Sequence, residues 1–267
     1  MTSIGVPIGA REVAIQTARD AGAILREKLG QVKIEYKGTV DLVTDADRAS
    51  ETLVAGRISE AFPDHRIVGE EGIAKFSGAG DAAPYAWIVD PLDGTTNFAH
   101  GYPHFAVSIA LSHQGTVVLG VVYDPMRDEL FVAERGGGAT LNERPIHVSE
   151  TDQLIRSLLA TGFSYDLAER AGQLEIWGAL QGGTQGIRRD GAAALNLCYV
   201  AAGRIDAFWE QPLMPWDMAA ASLLVEEAGG VVTNYTGGPF DVFGNGVTAG
   251  NVAMHSAVVE VVIAHLR

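Results

Sequence analysis

The sequence predicts a mixed fold in which an α+β first half is followed by an α/β second half. Strand-like runs of alternating or β-branched residues dominate the first half, and two helix patterns flank them. From about residue 150 the pattern changes to short strands that alternate with helices, which is typical of α/β structure. We therefore expect two lobes, residues 1–145 and residues 146–267, that pack as one compact unit around a shared site.

In the first half, helix signals stand on both sides of a short β segment. Apolar residues at helical spacing predict a first helix over residues 8–29. Residues 31–43 alternate and predict a strand or hairpin, after which Thr44 and Asp47 resemble a capping box that opens a helix ending near residue 62. The strands predicted after this helix are 66–69, 85–89, 105–111, 116–123 and 130–133.

The second half is predicted to alternate between strands and helices. Its predicted strands are 158–161, 186–189, 205–209 and 231–233. Its predicted helices lie near 167–180, 192–202 and 216–228. Most of the acidic residues discussed below fall before residue 100, in the first lobe.

Composition and charge disfavour several classes of partner. The 267 residues carry 33 acidic and 19 basic side chains, a formal net charge of -14, which argues against nonspecific binding to nucleic acid or to an anionic membrane. Cys198 has no second cysteine to pair with, so we expect a reducing cytoplasm rather than a secreted, disulfide-bonded protein. We also expect no membrane span, since no apolar run approaches the roughly 20 residues that one requires.

The most informative segment reads Asp-Pro-Leu-Asp-Gly-Thr-Thr-Asn-Phe, at residues 90–98. Asp90 and Asp93 are predicted to lie on a tight turn after a buried strand, where both carboxylates face one point. Gly94 allows a close backbone approach, and the two threonines after it are candidate caps of a short helix whose free N–H groups would face an anion. The turn therefore favours a divalent cation beside a phosphate.

Further acidic residues recur at the ends of predicted elements. The set comprises Asp41, Asp45, Asp47, Glu70, Glu71, Asp90, Asp93 and Asp217. Mg²⁺ prefers oxygen ligands from a few carboxylates, water and substrate phosphate. Taken singly, each acid is more often a solvated carboxylate or a helix cap, and Asp217 after Pro215-Trp216 fits that simpler interpretation as well.

Three motifs, in this order along the chain, resemble the inositol monophosphatase family. They are Gly69-Glu70-Glu71, the segment from Trp87 to Phe98, and Pro215-Trp216-Asp217 ahead of an Ala228-Gly229-Gly230 run. The resemblance covers nearly the whole chain and extends to Lys37, to 41–44, to 120–123 and to 191–196. The long middle motif is highly specific, and its agreement with two distant motifs makes coincidence improbable.

The resemblance implies a layered αβαβα sandwich of the sugar-phosphatase type. It also implies a lithium-sensitive phosphomonoesterase that uses two to three Mg²⁺ ions and is usually a homodimer. Carried over by position, Glu70, Asp90 and the backbone carbonyl of Leu92 would hold a first ion. Asp90, Asp93 and Asp217 would hold a second, and Glu70 would contribute to a third, weaker site.

The same relation implies how the ester is hydrolysed. Glu70, Asp47 and Thr95 are the implied catalytic residues, with Asp47 acting as a base through Thr95 on a metal-bound water. N–H groups of Gly94 and Thr95 would hold the phosphate, and no residue would become phosphorylated. The implied substrate-binding set is Asp93, Gly94, Thr95, Gly191, Ala193, Glu210 and Asp217.

Myo-inositol 1-phosphate is the substrate we expect, because Glu210 falls where the family places a carboxylate against polyol hydroxyls. Asp190 departs from the small or apolar residue expected before Gly191, and an added negative charge there would favour histidinol phosphate. Fructose 1,6-bisphosphate and 3′-phosphoadenosine 5′-phosphate rank lower for want of a basic cluster; Arg188 and Arg189 are interpreted as ion-pairing or subunit-contact residues.

Two further expectations concern regulation and class. The loop 31–40, which carries Lys37, has few apolar anchors and is our candidate for a metal-responsive lid. A noncatalytic scaffold for a protein or RNA partner is the rival interpretation from another class. The intact set of implied ligands and the acidic balance both argue against it.

Overall fold

A computed structural model describes residues 5–31, 34–36, 42–70, 72 and 83–266. Within these ranges it confirms the mixed fold, with seven α-helices and two large mixed sheets stacked in αβαβα order. Lys37, Asp41 and Glu71 lie outside the described residues, and so does most of the predicted lid.

The first large sheet is built almost entirely from consecutive antiparallel strands. The hairpin of β1 (Ile34–Tyr36) and β2 (Leu42–Thr44) precedes it. The sheet itself contains, in both chain and spatial order, β3 (Arg66–Gly69), β4 (Tyr85–Asp93), β5 (Ala106–His113), β6 (Thr116–Asp124), β7 (Glu129–Glu134), β8 (Gly138–Leu141) and β9 (Arg144–Pro145). Only β3 and β4 pair in parallel, so the carboxyl ends of these two strands meet at one edge of the sheet.

Two helices, α1 (Ala10–Lys28) and α2 (Asp45–Ala61), cover the outer face of this sheet. Ala14, Ala18 and Ala21 recur at helical spacing and are fully buried, which lets α1 pack closely on α2 and on the strands. A five-residue helix, α3 (Thr95–Ala99), follows β4 directly. The first helix, the hairpin and the capped second helix are therefore as predicted.

The middle layer consists of α5 (Ala193–Ala201) and α6 (Pro215–Glu227), which lie between the two sheets. Every residue of α6 from 218 to 225 is buried, as expected for a helix that is apolar on all sides. Gly120 on β6 permits the close approach of this helix, because a Cβ there would overlap the carbonyl oxygen of Ala220. This shared core joins the two predicted lobes; the division into lobes itself stays a prediction.

The second large sheet lies beyond these helices and mixes parallel and antiparallel pairs. Its strands are β10 (Leu158–Thr161), β11 (Gly186–Arg188), β12 (Ala207–Glu210), β13 (Val231–Thr233) and β14 (Val247–Gly250), in the spatial order β11-β10-β12-β14-β13. The helices α4 (Leu167–Gln181) and α7 (Val252–His265) pack on its outer face and complete the fifth layer. None of the described helices has the length and apolar composition needed to cross a membrane.

The structure has β14 and α7 at 247–265, where the sequence pattern predicts no element. The run is rich in valine, which favours strands in isolation. The helix forms because Asn251 caps it, accepting from the N–H of Met254 at 2.9 Å, and because Met254, Val258 and Val262 bury one face against the sheet. Local capping and tertiary packing thus override the residue preference.

Candidate active site

The predicted tight turn at residues 90–93 is instead the irregular end of a strand. β4 continues to Asp93, and its pairing with β5 shifts register between Asp90 and Asp93. Such a bulge re-aims side chains next to a site. Asp90 and Asp93 are 3% and 6% exposed, so both carboxylates lie in a largely dry environment.

Gly94 joins this strand to α3. Its φ of 93° lies in the left-handed region, which glycine adopts without steric cost, and it is the residue that precedes the first turn of the helix. The prediction that Thr95 and Thr96 cap this helix is wrong, since both threonines are already helical. As first-turn residues their N–H groups have no acceptor within the helix.

The contact expected between Thr95 and Asp47 is present. The Thr95 hydroxyl lies 3.1 Å from Oδ1 of Asp47, and it also lies 3.1 Å from the carbonyl oxygen of Leu92. The other oxygen of Asp47 accepts from the N–H and the hydroxyl of Thr44, at 2.8 and 2.6 Å. The capping box of α2 therefore holds Asp47 in place while leaving one of its oxygens facing Thr95.

Asp93 connects the end of β4 with the second half of the chain. Its two oxygens accept from the backbone N–H groups of Ala193 and Ala194, at 3.1 and 2.9 Å. Gly191 just before them has a φ of 82°, so the chain turns sharply into α5. This places Gly191 and Ala193 beside Asp93 although 98 or more residues separate them in sequence.

Asp217 and Glu210 come from two further elements. Asp217 lies in the first turn of α6, where its Oδ2 accepts from the N–H of Met214 at 2.7 Å. Glu210 is the last residue of β12. Asp217 therefore does cap a helix, and it lines the same cavity as the residues of β4.

These elements surround a cavity of about 320 Å³. Of the predicted site residues, it is lined by Glu70, Asp90, Leu92, Asp93, Gly94, Thr95, Gly191, Ala193, Glu210 and Asp217. Asp47 reaches it through Thr95, and Lys37 is outside the described residues. One cavity thus gathers Glu70, which follows β3, with residues from β4, α3, β12, α5 and α6.

The cavity concentrates negative charge where water is scarce. Burial raises the pKa of Asp90 and of Asp93 well above the usual range, and neighbouring carboxylates raise both further. Burial likewise raises the pKa of Asp217 to about 7 and that of Glu210 to about 8. Neighbouring carboxyl groups with raised pKa values form a site in which a bound cation would stabilise the ionised carboxylates.

The donor set fits a hard cation such as Mg²⁺, because every candidate ligand is an oxygen. No three acidic, histidine or cysteine side chains in the described part of the chain converge on one point as a finished metal cage does. Backbone N–H groups of Leu92, Ala193, Ala194 and Met214 hold the carboxylates along the cavity walls instead. Ligation by water and by substrate phosphate is consistent with such a spread set.

Several cavity residues were not predicted. Arg189 is exposed, lines the cavity and opposes the burial effect by lowering the pKa of Glu210, which differs from the ion-pairing or subunit role assigned to it. Phe163, Ser164 and Tyr165 form another part of the wall, and the Tyr165 hydroxyl lies 3.3 Å from that of Thr96. The sequence offered one indication of these cavity residues, which is that Arg189 lies two residues before the predicted site residue Gly191.

Asp190 does not line the cavity. Its carbonyl oxygen accepts from the Asn97 side chain at 2.7 Å. Burial lowers the pKa of His104, and the negative charge of Asp190 opposes this effect. Asp190 therefore contributes no carboxylate to the lining of this cavity, contrary to the expectation from sequence.

Comparison with known proteins agrees with this geometry. The sequence model of the inositol monophosphatase family matches residues 10–267. The chain belongs to this family. Among its relatives, the inositol-1-monophosphatase of Synechocystis is 44% identical over 256 residues, which cover 95% of this chain and 88% of the relative. The Nus factor SuhB of Pseudomonas aeruginosa is 45% identical over 260 residues, 95% of this chain and 96% of the relative.

A solved structure supports the same assignment. The inositol monophosphatase of Anabaena shares 41% of its residues and has a TM-score of 0.84, with 95% of both chains covered. Membership of this metal-dependent family identifies the protein as a phosphatase, a hydrolase of phosphoric monoesters. The sequence resemblance and the predicted fold are both confirmed.

Proposed function

We propose that this inositol monophosphatase family member hydrolyses myo-inositol 1-phosphate to inositol and phosphate with the help of bound Mg²⁺. The observation that carries the proposal is one cavity that holds Asp90, Asp93 and Asp217 beside a Thr95 hydroxyl hydrogen-bonded to Asp47. A relative that is 44% identical bears the name inositol-1-monophosphatase.

The metal ligands follow from the residues that line the cavity. Glu70, Asp90 and the carbonyl of Leu92 would hold a first Mg²⁺, and Asp90 would share a second with Asp93 and Asp217. Glu70 would contribute to a third, weaker site. When bound, these ions supply an acidified water and neutralise the charge that grows on the phosphate and the leaving oxygen.

Asp47 and Thr95 would take up the proton of the attacking water. The Thr95 hydroxyl carries one proton, which it can donate to Asp47, and its oxygen can then accept from a water in the cavity. Asp47 acts as the base through this hydroxyl, so the water itself attacks phosphorus and no phosphoenzyme forms.

The remaining groups would bind and orient the ester. The N–H groups of Gly94 and Thr95 would donate to the phosphate, and Gly191 and Ala193 line the same cavity. Glu210 would accept hydrogen bonds from hydroxyls of the polyol. Five carboxylates against one arginine in the cavity make cations necessary before a phosphate dianion can enter.

Phosphate release at pH 8 tests the proposal, with a panel of inositol 1-phosphate, histidinol phosphate, fructose 1,6-bisphosphate and 3′-phosphoadenosine 5′-phosphate. Each ester is assayed with Mg²⁺ and with EDTA. We expect Mg²⁺-dependent turnover that is fastest with inositol 1-phosphate and is inhibited by lithium. A preference for histidinol phosphate or for one of the bisphosphates would instead identify that ester as the substrate.

A noncatalytic scaffold is the second candidate, favoured by relatives that carry the name Nus factor SuhB. Asp93→Asn separates the two functions because it removes one charge while keeping an oxygen for the N–H groups of Ala193 or Ala194. An enzyme should lose turnover with its fold retained. A scaffold should keep its partner.

We also propose that the protein is a cytoplasmic homodimer whose predicted lid loop, residues 31–40 with Lys37 and the short strand β1, closes on metal binding. The acidic balance supports a function without nucleic acid or anionic membranes. Hydrogen exchange in that loop, measured with and without saturating Mg²⁺, tests the lid; unchanged exchange would refute it.

A further inference from the structure

We infer that Gly162 is a positioning residue. Because it has no side chain, it leaves space for the Glu210 carboxylate and thereby determines the affinity for polyol esters. The inference rests on the proposed function, in which Glu210 contacts the substrate hydroxyls. Gly162 does not line the cavity itself, and the side chain that a Cβ at this position would meet is that of Glu210.

Sheet register brings the two residues together. β10 and β12 are parallel neighbours, with Thr161 opposite Trp209, so Gly162, just past the end of β10, lies beside Glu210, the last residue of β12. Side chains at paired positions of neighbouring strands stand on the same face of a sheet. The Thr161 hydroxyl donates to the carbonyl oxygen of Trp209 at 2.7 Å, which fixes this register at the strand ends.

The Glu210 side chain fills the space that a side chain at position 162 would need. A Cβ built on Gly162 would overlap the carboxyl carbon and both carboxylate oxygens of Glu210. All three atoms form the flexible end of the Glu210 side chain, so the carboxylate rather than the main chain would have to move. Any residue other than glycine at position 162 must therefore turn Glu210 away from its present place.

Backbone conformation does not explain the glycine. Gly162 is absent from the glycines with left-handed φ, whereas Gly94 and Gly191 in the same site adopt that conformation. An alanine at position 162 would thus be acceptable to the main chain. The glycine instead provides space for the Glu210 carboxylate.

The surroundings limit where a displaced carboxylate could go. Arg189 attracts the carboxylate and Asp217 repels it, as their opposite effects on the pKa of Glu210 show. Burial raises the pKa of Tyr235 to about 12, and the charge of Glu210 nearby adds to this effect. A turned side chain would change the distance of the carboxylate from both charges.

Kinetics of Gly162→Ala test the inference with two esters. For inositol 1-phosphate we expect KM to rise about tenfold, the size that one charged hydrogen bond accounts for, with kcat nearly unchanged. For p-nitrophenyl phosphate, which offers Glu210 no hydroxyl, the change should be much smaller. Equal losses with both esters, or an unchanged KM for inositol 1-phosphate, would overturn the inference.

Two further variants sharpen the result. Glu210→Ala and the double variant Gly162→Ala with Glu210→Ala should have the same KM, because the glycine acts only through the carboxylate. Additive losses would contradict this. Gly178→Ala is the matched control, since nothing lies within 4 Å of a Cβ at that position in α4, and it should behave like the wild type.

A crystal structure of Gly162→Ala separates this inference from the proposed function. A displaced Glu210 carboxylate with the sheet register intact supports the seating role whatever substrate the enzyme prefers. A carboxylate in its present place overturns it. Failure of the wild type to turn over inositol 1-phosphate would instead count against the proposed function alone.

Discussion

At the scale of single residues, one proton on the Thr95 hydroxyl has two acceptors. Asp47 and the carbonyl of Leu92 both lie 3.1 Å from it, so the hydroxyl can donate to only one of them at a time. Donation to Asp47 leaves the oxygen free to accept from water. The proposed role of Thr95 as a relay depends on this choice.

Thr95→Val should reduce kcat by about 100-fold to 10,000-fold, the usual range for a lost general base, while Mg²⁺ binding persists. Thr95→Ser keeps the hydroxyl and should retain most of the activity. Thr96→Val is the matched control, because the Thr96 hydroxyl contacts Tyr165 rather than a carboxylate. Steady-state phosphate release measures all three, and an active Thr95→Val would refute the relay.

A second residue, His65, makes stability depend on pH. Its Nδ1 accepts from the indole N–H of Trp87 at 3.1 Å, and its ring stacks on Phe62 and Tyr85 at 4.8 Å. Burial lowers the pKa of His65 below 6.5, and the charge of Asp64 only partly offsets this. The unfolded chain therefore binds the proton first as pH falls below about 6.5, so the folded state loses stability there.

His65→Gln should show a shallower loss of melting temperature between pH 7 and pH 5 than the wild type. His100→Gln, at an exposed position, should keep the wild-type slope. Thermal unfolding across this pH range measures the difference between variants, so the contributions of other groups cancel. Identical slopes for His65→Gln and the wild type would show that His65 does not contribute.

At the scale of elements, the site depends on how strands and helices end. The capping box of Thr44 and Asp47 opens α2, the bulge ends β4, and the glycine turn before α3 leaves N–H groups facing the cavity. The capping box could be predicted because its signal is local. The bulge could not, because it depends on the pairing of β4 with β5.

Thr44→Ala should lower both stability and activity. Loss of an N-cap costs about 1 kcal/mol, or a melting temperature lower by about 2–4 °C in a protein of this size. It also removes the hydroxyl that holds Asp47 at 2.6 Å, so kcat should fall as well. Thermal unfolding and phosphate release measure the two effects, and Thr44→Ser should restore both. A loss of stability with full activity would mean that Asp47 needs no such support.

At the scale of the whole molecule, the cavity exists only because two sheets share a helical layer. Asp93 from the first sheet accepts from the start of α5, and Asp217 at the start of α6 faces it from the same layer. The motifs identified these residues from sequence, since the family relation is specific. The sequence did not predict the positions of Arg189 and Tyr165 in the cavity or the contact of Gly162 with Glu210. These roles depend on residues that are close in space but far away in the chain.

The most direct test of this account is a calorimetric titration of Mg²⁺ into the metal-free protein, compared with Asp217→Asn and with Asp241→Asn. Asp241 is exposed and does not line this cavity, so its variant is the control. We predict two to three Mg²⁺ per chain for the wild type and the control, and the loss of one ion for Asp217→Asn. Equal binding by all three proteins would contradict a metal site shared between the two halves of the chain.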